Sequence, residues 1–279
     1  MAIAIDLAGR VVLVCGVGEG GIGDATAQQA ARAGAILVLV DHAQSIVDGT
    51  IARVEALGGT AYGLVADLTD PAQTDGLIDK VLLLAGRLDG VINNAGGTRE
   101  GEWQTLEVTS LESFRQTLNL NLEYVFRICK DAAHAMIAQG TGGALVNVSS
   151  VSSLASAPNH GPYGAAKSGI NALTRTMAFE WAKYGIRANA VLPGAVPSKR
   201  VTDRMAANTS GNTGVAANAP TPVYTSIFEM ANMMVFLLSD LASGVSGQQI
   251  AVDSGLSTKF CGGNREFTAK KFSPYAVQA

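Results

Sequence analysis

Short apolar runs rich in β-branched residues recur along this chain, each followed by a longer stretch of helical character. The runs fall at about 11–15, 36–41, 61–66, 89–93, 143–149, 186–192 and 249–252. Two of them, VVLVC and ILVLV, are apolar at every position rather than at every second one. Strands buried on both faces read this way, and burial on both faces requires helices above and below the sheet. Strand–helix alternation with right-handed crossovers predicts an α/β fold: a doubly wound parallel sheet of about seven strands, helices on both faces. Helix punctuation agrees. Residues 25–33 are rich in helix formers, and Asp70-Pro71 offers an N-cap carboxylate followed by proline at the first helical position. Thr109-Ser110-Leu111-Glu112 fits a capping box opening one long helix towards Gln139.

No linker or internal repeat divides the 279 residues, so one domain is expected over 1–258, with 259–279 as a C-terminal tail. A chain of this length buries roughly three-quarters of its unfolded surface, and 48% hydrophobic content supplies the core. Residues 199–222, rich in Ala, Asn, Thr and Gly without a period, are read as a lid over a substrate site. The tail carries Phe260, Phe267, Phe272 and Tyr275, which suit either docking or loose packing. A net charge of −3 argues against a nucleic-acid or anionic-membrane partner. No apolar run approaches the roughly 20 residues that span a bilayer. The first residues lack the basic-then-apolar pattern of a secretory leader, so a cytoplasmic location is expected. Cys15, Cys129 and Cys261 are an odd number without metal-type spacing. Neither a disulfide framework nor a metal site is expected.

Directly after the first run comes Cys15-Gly16-Val17-Gly18-Glu19-Gly20-Gly21-Ile22-Gly23, opening into a helix. Glycines tighten such a turn and let backbone N–H groups approach a pyrophosphate, whose charge the helix N-terminus favours. Gly16, Gly18, Gly21, Ile22 and Gly23 are therefore candidate dinucleotide-binding residues. Asp41 ends the second run, eighteen residues past Gly23. A carboxylate there accepts both ribose hydroxyls of an adenosine and repels a 2′-phosphate. Glu19 adds a second negative charge nearby, so the expected cofactor is NAD rather than NADP. A plain strand-end turn is the structural alternative for Asp41, and a protonated His42 would soften the discrimination.

Five further motifs follow in order: Asn93-Asn94-Ala95-Gly96, Asn121 in NLNLEYVF, Ser149-Ser150 in NVSSV, Tyr163-Gly164-Ala165-Ala166-Lys167, and Pro193-Gly194. With the closing VSGQQIAVDSG they make the chain resemble the short-chain dehydrogenase/reductase family over residues 7–257. The resemblance implies a single-domain Rossmann-like fold and an NAD-dependent oxidoreductase acting on CH–OH groups. It implies Asn121, Ser150, Tyr163 and Lys167 as catalytic residues. It adds Asp67, Leu68, Asn94, Ala95, Gly96, Pro193, Gly194, Val196 and Ser198 to the cofactor contacts, which Tyr163 and Lys167 share. A homo-oligomer, tetramer or dimer, is also implied. The chain departs from the family pattern in three places: four residues rather than three separate Gly16 and Gly21, Cys15 replaces a threonine, and Ser198 replaces another. A bulged turn that still binds is expected.

Spacing i, i+4 puts Tyr163 and Lys167 on one face of a helix. A free phenol is a poor base at neutral pH, but an adjacent ammonium and a positive nicotinamide ring both favour the phenolate. In the family's chemistry Tyr163 takes the alcohol proton as hydride passes to NAD, while Ser150 holds the substrate oxygen. Lys167 bonds the nicotinamide ribose, and Asn121 holds a water linking Lys167 to solvent. Ser152, His160 and Met205 join Ser150 and Tyr163 as candidate substrate contacts. The expected lining has no arginine clamp, which favours a neutral, moderately apolar small-molecule substrate, a secondary alcohol or ketone with cyclic compounds included. The alternatives are a 3-oxoacyl-thioester (acyl-carrier-protein) reductase and a catalytically silent dinucleotide-binding regulator. Thr141 and Tyr184, where carrier-protein reductases tend to carry arginines, weigh against the first, and the intact Tyr163–Lys167 pair weighs against the second.

Overall fold

The computed structural model describes residues 4–99, 101–199, 202–203 and 225–258. Seven strands form one sheet: β1 (Val11–Cys15), β2 (Ile36–Asp41), β3 (Thr60–Val65), β4 (Gly90–Asn93), β5 (Gly143–Val148), β6 (Ile186–Pro193) and β7 (Gln249–Val252). Their order is β3-β2-β1-β4-β5-β6-β7, and every pairing is parallel. Each strand lies within a residue or so of its expected limits.

The helices are α1 (Ile22–Arg32), α2 (Gln44–Glu55), α3 (Pro71–Thr74), α4 (Leu77–Ala85), α5 (Leu111–Leu118), α6 (Tyr124–Gln139), α7 (Gly161–Glu180) and α8 (Ile227–Leu238). They explain the continuous apolar strands. Val11, Leu13 and Cys15 of β1 enter a core shared with α4, α6 and α7. Val12 and Val14, pointing the other way, enter a second core with α1, Val54 of α2, and α8. One strand thus serves two cores, and no position on it can be polar.

Asp70 caps α3 as expected, accepting the Ala72 N–H at 2.9 Å with Pro71 at the first helical position. The expected long helix from Thr109 is corrected in two respects. Its cap is Ser110, whose Oγ accepts the Ser113 N–H at 3.1 Å, while Thr109 and Glu112 bond elsewhere. Its run towards Gln139 is interrupted by a π-turn over Asn119–Glu123. The interruption has a purpose visible at Asn121, since single π-turns re-aim a side chain that a regular helix would direct elsewhere.

Because the order in which successive strands are added reverses between β1 and β4, a crevice opens at the carboxyl ends of the strands. Among the described residues, the candidate site residues other than Gly23 and Asn121 line that crevice. Met205, most of the 199–222 segment and the 259–279 tail fall outside the described residues. Among the described residues, no helix is long and apolar enough to cross a membrane.

Candidate active site

A cleft of about 1,960 Å³ runs along the strand ends. Its first section is the turn after β1. Gly16 adopts φ +89°, and a Cβ there would stand 2.6 Å from the Ala95 backbone. A Cβ on Gly23 would stand 1.9 Å from the Gly16 carbonyl oxygen, closer than any real contact. These two glycines hold α1 against the turn. Gly18 is different: nothing lies within 4 Å of where its Cβ would be, and it lines the open cleft. The extra residue between Gly16 and Gly21 is absorbed locally. Gly21 N–H donates to the Gly18 carbonyl at 2.9 Å, with Gly20 in left-handed φ at +60°.

Gly21 caps α1 and Ile22 is its first residue, and both line the cleft. The N–H groups of a first helical turn have no intrahelical acceptor, so the open space beside Gly18 suits a pyrophosphate. Asp24 was not singled out by sequence. It is buried in that first turn, accepts the Gly20 N–H at 3.1 Å and pairs with Arg53 at 2.8 Å. Its position, three residues past the helix cap, was the available signal. The Arg53 guanidinium offsets a carboxylate that would otherwise oppose an anion at this helix end.

Asp41, at the end of β2, is buried and heavily engaged. One carboxylate oxygen accepts the Val17 N–H at 2.8 Å; the other accepts the His42 N–H at 2.8 Å and meets His42 Nδ1 at 2.6 Å. It is a structural brace for the glycine turn as well as a cleft residue. Asp67 lies beyond β3 in a local turn, with Oδ1 accepting both the N–H and the hydroxyl of Thr69. The Thr69 hydroxyl and then its N–H hold the Asp67 carboxyl below the usual carboxylate range. Leu68 is buried beside it, its carbonyl accepting from Arg127 at 2.9 Å.

Asn94, Ala95 and Gly96 continue from β4. Asn94 Nδ2 donates to the Gly16 carbonyl at 2.7 Å, tying this strand end to the glycine turn. The Ala95 carbonyl accepts from the Tyr124 hydroxyl at 2.7 Å. Burial pushes the Tyr124 phenol well up, so it stays a donor and plays no acid–base part. Asn121 is fully buried: Oδ1 accepts the Gly97 N–H at 2.8 Å, and Nδ2 donates to the Gly97 and Thr117 carbonyls. Its side chain clamps the Gly97 backbone and does not line the cleft.

Lys167 is buried on α7, its Nζ donating to the Val148 carbonyl at 2.9 Å and lying 5.5 Å from the centre of the Tyr163 ring. A Cβ on Gly96 would sit 2.6 Å from Asn121 Oδ1 and 3.3 Å from Lys167 Nζ, so glycine is required where those groups converge. The neighbouring serines separate cleanly. Ser149 Oγ donates to the Lys167 carbonyl at 3.0 Å and anchors α7. Ser150 Oγ accepts the Ser152 N–H at 3.1 Å and borders the cleft.

Pro193, Gly194, Val196 and Ser198 complete the lining after β6. Here Lys199 N–H donates to the Gly20 carbonyl at 3.2 Å, joining this segment to the glycine turn. At the far end stand Ser152, His160 and a residue that sequence reading missed, Trp103. The Trp103 and His160 rings are 4.4 Å apart, His160 and Tyr163 5.8 Å. Trp103 is half exposed with its Nε1 donating to Thr98 Oγ1 at 3.0 Å. Only its being a tryptophan in a polar loop marked it. Arg99 also lines the cleft, so the lining carries an arginine that the sequence reading did not expect.

A family model described as Enoyl-(Acyl carrier protein) reductase matches residues 16–257. The chain is 34% identical over 252 residues to 2,5-dichloro-2,5-cyclohexadiene-1,4-diol dehydrogenase of Sphingobium indicum, spanning 90% of this chain and 98% of that protein. It is 33% identical over 250 residues to 3-oxoacyl-(acyl-carrier-protein) reductase of Thermotoga maritima, spanning 90% and 98%. The crystal structure of levodione reductase superposes with a TM-score of 0.83 at 35% identity, covering 91% of this chain and 99% of that one.

Proposed function

The chain belongs to the short-chain dehydrogenase/reductase family of oxidoreductases acting on CH–OH groups, and from that premise we propose an NAD-dependent reaction on neutral ring alcohols and ketones. The observation that carries the reading is that Tyr163 and Lys167, with the ammonium 5.5 Å from the centre of the phenol ring, line the cleft together with Ser150. NAD, when bound, supplies the hydride acceptor. Gly18 and the first turn of α1 would hold its pyrophosphate, and Asp41 its adenosine ribose, where the buried carboxylate disfavours a 2′-phosphate.

The protein's own groups then manage one proton. Ser150 has an acceptor position occupied by the Ser152 N–H, leaving its hydroxyl hydrogen to donate to the substrate oxygen. Tyr163 takes the alcohol proton in oxidation and returns it in reduction. The Lys167 ammonium, held by the Val148 carbonyl, favours the phenolate over the phenol. Asn121 acts as a positioning residue: by gripping Gly97 it fixes the loop that passes Lys167.

Support for a ring-borne substrate comes from the Trp103–His160 wall and from relatives named for a cyclohexadiene diol and for levodione. Tyr163→Phe should lower kcat by about a thousand-fold while NADH binding, followed by fluorescence, stays within a few-fold. Full activity in that variant would defeat the mechanism. Thioester reduction is the second reading, supported by the Thermotoga relative; NADPH-dependent turnover of an acetoacetyl thioester ahead of any ring ketone would select it. A cytoplasmic homo-oligomer, tetramer or dimer, belongs to the same proposal. Its support is the exposed Phe126 and Phe179 on α6 and α7 and the two buried free thiols, Cys15 and Cys129. Light scattering on the eluting protein tests the assembly.

A further inference from the structure

Ser152 and His160 face the cleft beside Tyr163, and the proton chemistry above uses neither side chain. Their hydrogen bonds fix a polarity. His160 Nδ1 lies 2.8 Å from the Pro158 carbonyl oxygen. A carbonyl only accepts, so Nδ1 carries the ring proton. In the neutral ring Nε2 is then an acceptor, and its partner, 3.2 Å away, is Ser152 Oγ. The Ser152 hydroxyl hydrogen is committed to His160, and Ser152 offers the cleft oxygen lone pairs alone. Ser150 is the converse. Its Oγ already accepts the Ser152 N–H, and among the described residues its own hydrogen has no acceptor.

Two adjacent side chains therefore present opposite hydrogen-bonding faces, a donor at Ser150 and an acceptor at Ser152. The reacting oxygen requires the donor. The acceptor is matched only by a substrate that brings a second hydrogen to donate. A ketone, ether or halogen at that point would set lone pairs against lone pairs, and a bare methylene would leave the Ser152 oxygen without a partner. Trp103, stacked on His160, and Val151 and Leu154 make the surrounding walls apolar or aromatic.

We propose that Ser152, oriented by His160, accepts a hydrogen bond from a second hydroxyl on the substrate, making cyclic diols and hydroxyketones the preferred class over simple ring alcohols. This specificity rests on the hydride-transfer chemistry proposed above. Its test compares cyclohexanol, the 1,2-, 1,3- and 1,4-cyclohexanediols, and the matching fluorocyclohexanols, each with NAD at pH 8. Fluorine replaces the second hydroxyl with little added bulk and no hydrogen to donate. The quantity read is the ratio of kcat/KM for a diol to that for its fluoro analogue, which cancels general damage within any one variant.

For at least one isomer the parent ratio should be about ten or more, expressed mainly in KM. Ser152→Ala should bring it close to one. His160→Phe, which keeps a ring against Trp103 but frees the Ser152 hydroxyl, should bring it to a few-fold. Turnover of cyclohexanol with ratios near one for every isomer, or a ratio that survives Ser152→Ala, overturns the Ser152 assignment alone. Failure of every secondary alcohol to reduce NAD defeats the hydride-transfer reading and this one with it.

Discussion

The two ends of the cleft are built from different materials. At the glycine turn, backbone meets backbone: Gly16 against Ala95, Gly23 against the Gly16 carbonyl, Asn94 Nδ2 on that same carbonyl. At the Trp103–His160 end, side chains from two separate loops meet, and the largest of them is half exposed. Close backbone packing has no tolerance for an added methyl group, whereas a partly open wall of side chains is exchanged at modest cost. A scaffold divided in this way can keep one cofactor and change its substrate. Relatives as far apart as a cyclohexadiene diol dehydrogenase and a thioester reductase share about a third of this sequence.

On this division, the largest effect on cofactor binding should come from the smallest substitution at the turn. Gly23→Ala places a methyl 1.9 Å from the Gly16 oxygen, with Asn94 Nδ2 at 2.7 Å on another side. Helix α1 must move away from β1 and β4, costing about 3 kcal/mol of stability. NADH binding should weaken by well over ten-fold, measured by fluorescence titration, and Tm should fall by several degrees. Wild-type affinity in this variant would mean that the turn is plastic and the contrast false.

The same contrast explains what the sequence could disclose. Glycines at 16, 21 and 23, Asp41 at a strand end and Tyr163–Lys167 at i, i+4 are dictated by backbone geometry or one helix's period. Such constraints leave marks at fixed spacings. Apolar strands such as β1 were equally legible, because burial on both faces permits no polar residue. Trp103 left no such mark: it reaches His160 across 57 residues of chain, through a contact no local pattern encodes. Asp24 was hidden for another reason, since its meaning depends on Arg53 of the next helix. The π-turn at Asn119–Glu123 was illegible too, because the bonds its asparagines make, Asn119 to the Thr69 carbonyl and Asn121 to the Gly97 backbone, reach residues far away in the chain.

Asp41 is where a side chain intrudes on the backbone-built end, and it allows a sharper cut. Asp41→Asn combined with His42→Arg removes the negative charge and adds a positive one, yet keeps an acceptor for the Val17 N–H. The ratio of kcat/KM with NADP to that with NAD should rise by ten- to a hundred-fold, on the order of two charge-assisted contacts. A preference for NADP in the unaltered protein would refute the cofactor assignment. At the opposite end, Trp103→Ala should raise KM for a ring alcohol about three- to ten-fold, the worth of one aromatic contact. A loss of NADH binding in that variant would show that the two ends are not separable.

The smallest effect belongs to Asp67, which lies at the dinucleotide end but outside its backbone packing. Its carboxylate is exposed, and one oxygen is spent on Thr69. Asp67→Ala should therefore raise KM for NAD by only about two-fold, the value of one solvent-exposed hydrogen bond. The Thr69 hydroxyl and N–H hold the carboxyl below its ordinary range, so its contribution is complete above the unfolded value and is lost as pH falls through the folded one. Thr69→Ala should move the Asp67 carboxyl titration, followed by NMR, upward towards the ordinary Asp value. An effect of Asp67→Ala as large as that of Gly23→Ala would mean that side chains, rather than backbone contact, govern cofactor binding along this edge.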